Sequence, residues 1–157
     1  MTALSQPAAD APPLRLVIDA SVGVKLFLRE PLSEQAEALF THLAADPPAH
    51  FYVPDLFFVE CANILWKYVR RFSYPPEDAG ENVRALQRLR LRSVSTAELI
   101  ADGLRLGLEH GVTAYDACYL ALAHRLHVPL ITADQRLVQA LRATPHDVRW
   151  LGDDTVP

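Results

Sequence analysis

The sequence lacks the features that mark membrane and secreted proteins. None of its apolar runs reaches the ~18 residues that a membrane-spanning helix needs. The N-terminal segment has no basic stretch followed by an apolar one, as a signal peptide would. Only two cysteines occur among 157 residues, Cys61 and Cys118. Both fall in predicted helices, which is typical of buried thiols in a reducing compartment, although the sequence alone leaves a bridge between them open. We therefore expect a cytoplasmic protein.

The sequence also lacks an excess of basic residues. Acidic residues outnumber basic ones, 19 to 15, and the net charge at pH 7 is -4. This balance excludes a generally basic protein that coats nucleic acid, so a polyanion would have to bind to a local basic patch. There is no glycine-rich phosphate loop, no G-x-S-x-G elbow and no cysteine cluster. Phosphate cradling, acyl transfer and structural zinc therefore lack a supporting motif.

The chain length and the apolar content predict one domain with a single core. Hydrophobic residues make up 50% of the 157 positions, which suits one globular unit. We place this domain at residues 14–151. Residues 1–13 are rich in alanine and proline without apolar periodicity, so they are predicted to be a disordered and dispensable leader. Residues 152–157 are predicted to be an acidic tail.

Apolar runs separated by breakers predict strands that alternate with helices, as in an α/β fold. The first strand starts at Leu14 and contains the continuous apolar run 16–18, which is typical of a buried parallel strand. Ser33 and Asp55 are predicted helix caps, and Gly111 ends a helix with an apolar stripe. That stripe consists of Leu99, Ile100, Leu104 and Leu108. Other strands are predicted at 51–53, 93–95, 128–132 and 148–151, and other helices at 33–45, 56–71, 77–89, 114–124 and beyond 134.

Two predicted strands end in an acid close to a hydroxyl side chain. Asp19 and Ser21 follow the first strand, and Thr132 and Asp134 end a later one. Each acid alone is most simply the N-cap of the helix that follows. At the carboxyl ends of parallel strands, however, the two acids would meet in the crevice where α/β proteins bind ligands.

Two more acids stand on predicted helices that are otherwise apolar. Glu60, Asn63 and Lys67 form a narrow polar stripe on one helix. The stripe is either a solvent-facing edge or an acid projecting into a polar cavity, with two neighbours that orient or balance it. Asp116 lies in the first turn of another helix, where it either complements the helix dipole or lies on the floor of a cleft. The sequence leaves both pairs of alternatives open.

Two histidines, His124 and His127, stand three residues apart at the end of the helix that begins at 114. This spacing is compatible with metal ligands, but histidine pairs near a helix C-terminus are usually surface residues or partners of the helix dipole. We therefore expect no zinc site at these two residues.

Four acids in apolar surroundings, Asp19, Glu60, Asp116 and Asp134, need a common explanation. Gathering four carboxylates without a counter-charge is unfavourable, because like charges raise one another's pKa and buried anions lose hydration. A divalent cation resolves this conflict, and oxygen ligands favour Mg²⁺ or Mn²⁺. One or two such ions can bind a phosphate and activate a water, so the four acids favour phosphodiester hydrolysis as the reaction class.

The same residues carry a resemblance to a known family, which extends from Leu14 to Leu151. The motifs, in chain order, are Asp19-Ala20-Ser21 after a strand, Glu60 with Asn63 on a helix, Tyr115-Asp116-Ala117 opening another helix, and Thr132-Ala133-Asp134 after a strand. In order and spacing they resemble the motifs of PIN-domain ribonucleases, especially toxins of the VapC type. The resemblance implies a three-layer α/β/α PIN-like domain, whose central parallel sheet has four to five short strands flanked by helices.

The resemblance also implies an activity, a metal and partners. The activity is that of an endoribonuclease dependent on Mg²⁺ or Mn²⁺, with RNA, transfer RNA included, as the substrate. The implied protein partners are a VapB-like antitoxin and a second copy of the chain in a homodimer. The resemblance assigns four catalytic residues to the metal site: Asp19, Glu60, Asp116 and Asp134. Among them, Asp19 and Asp116 are expected as the principal ligands, and Glu60 and Asp134 complete the acidic pocket or position a water. The supporting residues are Ser21, Thr132 and Asn63, and the candidate RNA contacts are Lys25, Arg29, Arg70, Arg71, Arg84 and Arg88.

Two other functions stay open. A non-catalytic PIN-like domain that binds a metal or RNA as a regulator would carry the same acids and would differ only in turnover. A phosphatase-like hydrolase of small phosphates has less support, because the segment after Asp19 lacks a following acid at the spacing that such enzymes use for acid catalysis. No membrane partner is expected.

Overall fold

The structure, a computed structural model, describes residues 12–154 and residue 156. The predicted leader lies outside the described residues except for its last two positions, as do residues 155 and 157 of the predicted tail. Strands and helices alternate along the described part: β1 (Arg15–Ile18), α1 (Ala20–Gly23), a 3-10 turn (Val24–Leu26), α2 (Ser33–Ala45), β2 (His50–Pro54), α3 (Leu56–Phe72), α4 (Pro76–Gln87), β3 (Leu91–Val94), α5 (Thr96–His110), α6 (Ala114–Leu126), β4 (Leu130–Thr132), α7 (Gln135–Leu141) and β5 (Val148–Trp150). Within that part, no helix combines the length and the hydropathy needed to cross a membrane.

The five strands form one parallel sheet in the order β3-β2-β1-β4-β5. Connections between parallel strands are right-handed crossovers, so the reversal of direction between β1 and β4 puts helices on both faces of the sheet. The predicted three-layer fold with a parallel sheet of four to five strands is confirmed. The same reversal opens a crevice at the carboxyl ends of β1 and β4, where sheets of this type bind ligands.

The centre of the sheet is buried because its strands are apolar on both faces. Leu16, Val17 and Ile18 of β1 are at most 1% exposed, as their continuous apolar run predicts. α6 is covered along most of its length, from Ala117 to Ala123. Cys61 and Cys118 are buried free thiols, which answers the question of a bridge that the sequence left open.

The packing of α5 on α6 differs from what its leucine pattern suggests. Of the apolar stripe on α5 only Leu99 is buried. The other three members, Ile100, Leu104 and Leu108, are 45%, 55% and 77% exposed. The face turned to α6 contains glycine instead, and a Cβ at Gly103 would lie only 3.0 Å from Cys118 Sγ. Small residues let two helices approach closely. The face of α5 that contains glycine, rather than the face with the apolar stripe, therefore packs on α6.

Two predicted helix caps have other roles. Ser33 is the first residue of α2, whose N-cap is Leu32 at φ 71°, and the Ser33 hydroxyl donates to the Leu28 carbonyl at 2.9 Å. Asp55 stands at the predicted N-cap position of α3, but its side chain makes no capping hydrogen bond there. Its carboxylate accepts instead from Thr96 N at 2.8 Å, so it ties the start of α5 to the start of α3. Both side chains form hydrogen bonds outside the helix at whose start they stand. The N-cap rule uses only neighbouring sequence positions, so it does not predict these bonds.

Candidate active site

The carboxyl end of β1 delivers Asp19 to the crevice between β1 and β4. The residue is 6% exposed and is the N-cap of α1, accepting the Ser21 backbone N–H at 2.6 Å. Its Oδ1 also accepts from the Ser21 hydroxyl, and its Oδ2 accepts from the Thr132 hydroxyl. Asp19 is therefore a helix cap and a wall of the crevice at once, because α1 starts where the crevice opens.

Ser21 and Thr132 fix Asp19 by bonding also to the backbone after β4. Ser21 Oγ accepts from Ala133 N at 2.9 Å, and Thr132 Oγ1 accepts from Asp134 N at 3.0 Å. Each hydroxyl thus donates to the carboxylate and accepts from an amide, which holds Asp19 in one orientation. The two strand ends that the sequence predicts to meet are joined through these bonds.

Glu60 comes from α3 and is held by Tyr119 of α6. The Tyr119 hydroxyl donates to Glu60 Oε1 at 2.7 Å, and the Tyr119 side chain is 1% exposed. Glu60 is itself half-buried, so it is the acid projecting inward rather than part of a solvent-facing edge. Asn63 and Lys67 are exposed. The orienting role predicted for Asn63 is filled by Tyr119, because α3 turns Asn63 to solvent.

Asp116 stands in the first turn of α6 and is held by Thr113, the N-cap of that helix. Asp116 N donates to Thr113 Oγ1 at 3.1 Å, and Thr113 Oγ1 donates to Asp116 Oδ2 at 3.0 Å. Asp116 is half-buried. The sequence prediction did not use Thr113, although a threonine three residues before an acid has the spacing of a capping box and marks such a pair.

Asp134 differs from the other three acids because it is exposed. Its Oδ1 accepts from Arg136 N at 2.9 Å and from Leu137 N at 3.4 Å, so Asp134 is the N-cap of α7. Its charge still raises the pKa of Asp116. Asp134 therefore lies at the rim of the crevice rather than on its walls.

The three less exposed acids have raised pKa values. Burial is the largest cause of the raised pKa of Asp19, Glu60 and Asp116. Hydrogen bonds from the neighbouring hydroxyls lower these pKa values without outweighing burial. Repulsion raises them further, since the charge of Asp116 acts on Asp19 and both charges act on Glu60. The crevice therefore concentrates negative charge that a cation would neutralise.

The donor set of the crevice suits a hard divalent cation. Carboxylate and hydroxyl oxygens are the ligands that Mg²⁺ and Mn²⁺ prefer, and Mg²⁺ keeps several waters, so that one or two carboxylates suffice. Among the described residues, however, no group of three or more His, Cys, Asp or Glu side chains surrounds one metal position. The four acids predicted as ligands therefore do not surround a single metal position. The site suits Mg²⁺ only because Mg²⁺ can bind through one or two carboxylates and fill its other positions with water.

Comparison with known proteins identifies the fold around this site. The family model for the PIN domain matches residues 16–142, a stretch that holds all four acids. The chain belongs to the PIN-domain family. Ribonuclease VapC3 of Pyrobaculum aerophilum is 36% identical to this PIN domain over 132 residues, which are 83% of this chain and 97% of the relative. The resemblance to VapC-type members of the family is thereby confirmed.

Two solved structures share the fold of this PIN domain. A toxin-antitoxin complex from Klebsiella pneumoniae superposes with a TM-score of 0.59 at 21% identity, covering 85% of this chain and 95% of that one. VapC20 of Mycobacterium tuberculosis, a toxin that cleaves the sarcin-ricin loop, superposes with a TM-score of 0.61 at 16% identity, covering 80% and 94%. At these identities the two structures establish the fold alone.

A cleft next to the acids was not predicted. It has a volume of about 670 Å³ and is lined by Asp134 and Arg136 at the start of α7, Tyr68 of α3 and Trp150 of β5, with others. Aromatic rings and a guanidinium are groups on which unpaired bases stack and phosphates bind. No local signal marks Arg136 or Trp150, because the packing of α7 beside β5 brings them together.

The basic residues predicted to contact RNA fall into two groups. Lys25 is buried, and its ammonium lies 2.8 Å from Glu30 Oε2. Its charge is therefore paired inside the PIN domain, although Lys25 also lines the cleft beside Asp134, and its RNA contact stays a prediction. The arginines are exposed, and two of them, Arg29 and Arg84, are paired with nearby glutamates. The arginine contacts that also stay predictions are those of Arg29, Arg70, Arg71, Arg84 and Arg88.

Proposed function

We propose that this PIN domain is a cytoplasmic endoribonuclease that hydrolyses RNA phosphodiester bonds with a bound Mg²⁺ or Mn²⁺. The observation that carries the proposal is the buried, hydroxyl-anchored Asp19 in the crevice, where the charge of Asp116 acts on Asp19 and both charges act on Glu60. Such a crevice repels an RNA phosphate unless a cation neutralises it. Ribonuclease activity is also what the name of the Pyrobaculum aerophilum relative states for that protein.

Asp19 and Asp116 are the residues that would hold the ion, since hydroxyl donors fix both and their carboxylate oxygens keep further lone pairs. An ion of this kind, when bound, polarises the scissile phosphate and lowers the pKa of a water. Glu60, oriented by Tyr119, positions the attacking water and takes up its proton, which its raised pKa favours. The water oxygen bonds to phosphorus as the bond to the leaving oxygen breaks.

Cleavage of a synthetic RNA by the purified chain tests this function. We expect cleavage with Mg²⁺ or Mn²⁺ and none with EDTA. Asp19→Asn and Asp116→Asn should each lower the rate roughly 100-fold or more. Asp78→Asn makes the same change at an exposed residue in the first turn of α4 and should keep the parental rate.

Two outcomes would contradict the proposed function. Equal cleavage by Asp19→Asn and the parent would show that the crevice is not the active site. RNA binding without cleavage under all metal conditions would favour the regulatory-domain alternative instead.

We also propose two protein partners, an antitoxin and a second copy of the chain. The Klebsiella pneumoniae neighbour is a toxin-antitoxin complex, which supports a VapB-like antitoxin. The exposed face of α5, formed by Ile100, Leu104 and Leu108, supports a homodimer, because a row of apolar side chains favours contact with another protein.

Each partner has its own test. Light scattering after size exclusion should give the mass of a dimer for the parent and for Gln87→Glu, and the mass of a monomer for Leu104→Glu. Co-expression with a short DNA-binding protein encoded immediately upstream should yield a complex that no longer cleaves RNA. A monomeric parent, or two chains that do not co-purify, would contradict the respective proposal.

A further inference from the structure

Three histidines from three elements meet at the opposite end of the sheet from the acids. His110 ends α5, His124 lies in the last turn of α6, and His146 lies two residues before β5. α6 runs back to the amino end of β4, so His124 lies at the same edge of the sheet as His146, which precedes β5. His110 joins them there because its ring contacts that of His146. We call these three residues the histidine cluster.

Within the histidine cluster, His110 and His146 have the separation of two ligands on one ion. Their Nε2 atoms are 3.2 Å apart, and their rings are nearly perpendicular, at 82° with centroids 5.1 Å apart. Two nitrogens bound to a tetrahedral Zn²⁺ at ~2.0–2.1 Å would lie about 3.3–3.4 Å apart. The pair is therefore set for chelation with little movement, and in the absence of an ion one ring can donate an N–H to the other.

His124 is the nearest further imidazole. Its ring centroid is 5.5 Å from that of His146, and the two side chains line one cavity of about 170 Å³. In the described part of the chain, no three potential ligand side chains surround one point. The His124 side chain must therefore rotate to bind an ion held by His110 and His146. His124 is exposed, so its ring has solvent on one side into which it can rotate.

The charges around the histidine cluster are mixed. Glu109 Oε1 lies 3.9 Å from His110 Nε2, while Glu109 Oε2 pairs with Arg105 at 3.3 Å, and the charge of Arg105 also acts on His146. Asp147 accepts from Arg149 at 2.8 Å, so its carboxylate is already engaged. Burial, followed by the charges of the other two histidines, lowers the pKa of His146. A neutral imidazole keeps the lone pair that a metal requires.

We propose that the histidine cluster binds a borderline divalent cation such as Zn²⁺, with His110 and His146 as the chelating pair and His124 as the third ligand. Imidazole nitrogen suits Zn²⁺ and Ni²⁺, whereas Mg²⁺ selects oxygen. A bound ion would join the ends of α5 and α6 to the start of β5. This site does not depend on the proposed ribonuclease function. The proposed pair differs from His124 and His127, at which the sequence gives the expectation of no zinc site.

Calorimetric titration of Zn²⁺ into the full chain, with any purification tag removed, tests this site. We expect one tightly bound Zn²⁺ per chain and a higher melting temperature in its presence. His110→Gln and His146→Gln should each weaken the affinity at least about tenfold and abolish the thermal shift. His42→Asn makes a similar change at an exposed histidine on α2 and should stay within about twofold of the parent.

Co²⁺ gives a readout that does not depend on stability. Its visible absorption should appear with the parent and disappear with either histidine variant, while Asp19→Asn should keep it. Circular dichroism shows whether each variant is folded. His110 and His146 lie in different parts of the chain, so if one variant fails to fold, the other still tests the site. Equal Zn²⁺ affinity of the variants and the parent, or no saturable binding by the parent, would overturn the proposal and leave only a hydrogen-bonded histidine pair.

Discussion

The two ends of the sheet collect opposite kinds of titratable group. At the carboxyl end, Asp19, Glu60 and Asp116 offer oxygen donors, and burial raises their pKa values. At the amino end, the histidine cluster offers nitrogen donors, and burial lowers the pKa of His146. In both places burial works against the charged form. One parallel sheet can therefore present two candidate cation sites, one at each edge. The first offers oxygen donors and the second offers nitrogen donors, so the two would prefer different metal ions.

Among changes to the residues that hold the acids in place, the largest effect separating the two ends is expected from Thr132→Val. The change keeps the side-chain volume but removes the hydroxyl that donates to Asp19 and accepts from Asp134 N. RNA cleavage should fall roughly 10- to 100-fold, as when a residue that orients a metal ligand is lost. Zn²⁺ binding by the histidine cluster should not change.

Thr41→Val is the matched control for that change. Thr41 is exposed on α2, and its hydroxyl donates only to the Glu37 carbonyl of its own helix. Its cleavage rate should equal that of the parent. If Thr132→Val also cleaves at the parental rate, the hydroxyl anchor of Asp19 has no catalytic role.

A smaller effect is expected from Tyr119→Phe, which removes the donor to Glu60 Oε1. That hydrogen bond lowers the pKa of Glu60, so its loss should raise this pKa further. We expect a several-fold lower rate and a shift of the acid limb of the pH–rate profile to higher pH. Tyr115→Phe, at an exposed tyrosine, should leave the profile unchanged, and an unshifted Tyr119→Phe profile would exclude Glu60 as the group that takes up the proton.

The smallest effect is a pH dependence of stability with opposite sign at the two ends. The raised pKa values of the acids mean that their contribution to stability is present below about pH 4 and is lost as the pH rises through the raised values. The lowered pKa of His146 means that its contribution is present above about pH 6.5 and is lost as the pH falls through the lowered value.

Thermal melting in EDTA over a pH series separates these two contributions. Relative to the parent, Asp116→Asn should gain a few degrees in melting temperature as the pH rises above about 4. His146→Gln should lose less stability than the parent as the pH falls below about 6.5. The same pH dependence in both variants and in the parent would show that neither end controls stability in this range.

The sheet and the acids could be predicted because their signals are local. The apolar run before Asp19 marks a buried strand, and an acid after such a strand is a feature of neighbouring positions. Glu60 and Asp116 stood out as acids on otherwise apolar helices, and the resemblance then assigned them to the metal site. Thr113 also lay within reach of a local rule, since it stands three residues before Asp116 at a helix start.

The remaining features depend on which helix faces pack together, and the sequence does not state this. Tyr119 of α6 donates to Glu60 of α3 although the two residues are far apart in the chain. The outward face of Leu104 follows from the close approach of Gly103 to Cys118. His110 and His146 come from elements far apart in the chain, so a search for metal ligands at short spacing finds His124 with His127 instead.

The most direct measurement is a titration of Mn²⁺ into the His110→Gln/His146→Gln double variant, in which only the acidic crevice is left to bind the ion. Bound Mn²⁺ from electron paramagnetic resonance and the RNA cleavage rate are recorded on the same samples. If the crevice is the catalytic metal site, occupancy and rate rise with one midpoint, and Asp19→Asn in that background abolishes both. Cleavage that proceeds without bound Mn²⁺ in the presence of EDTA, or that survives Asp19→Asn, would contradict this.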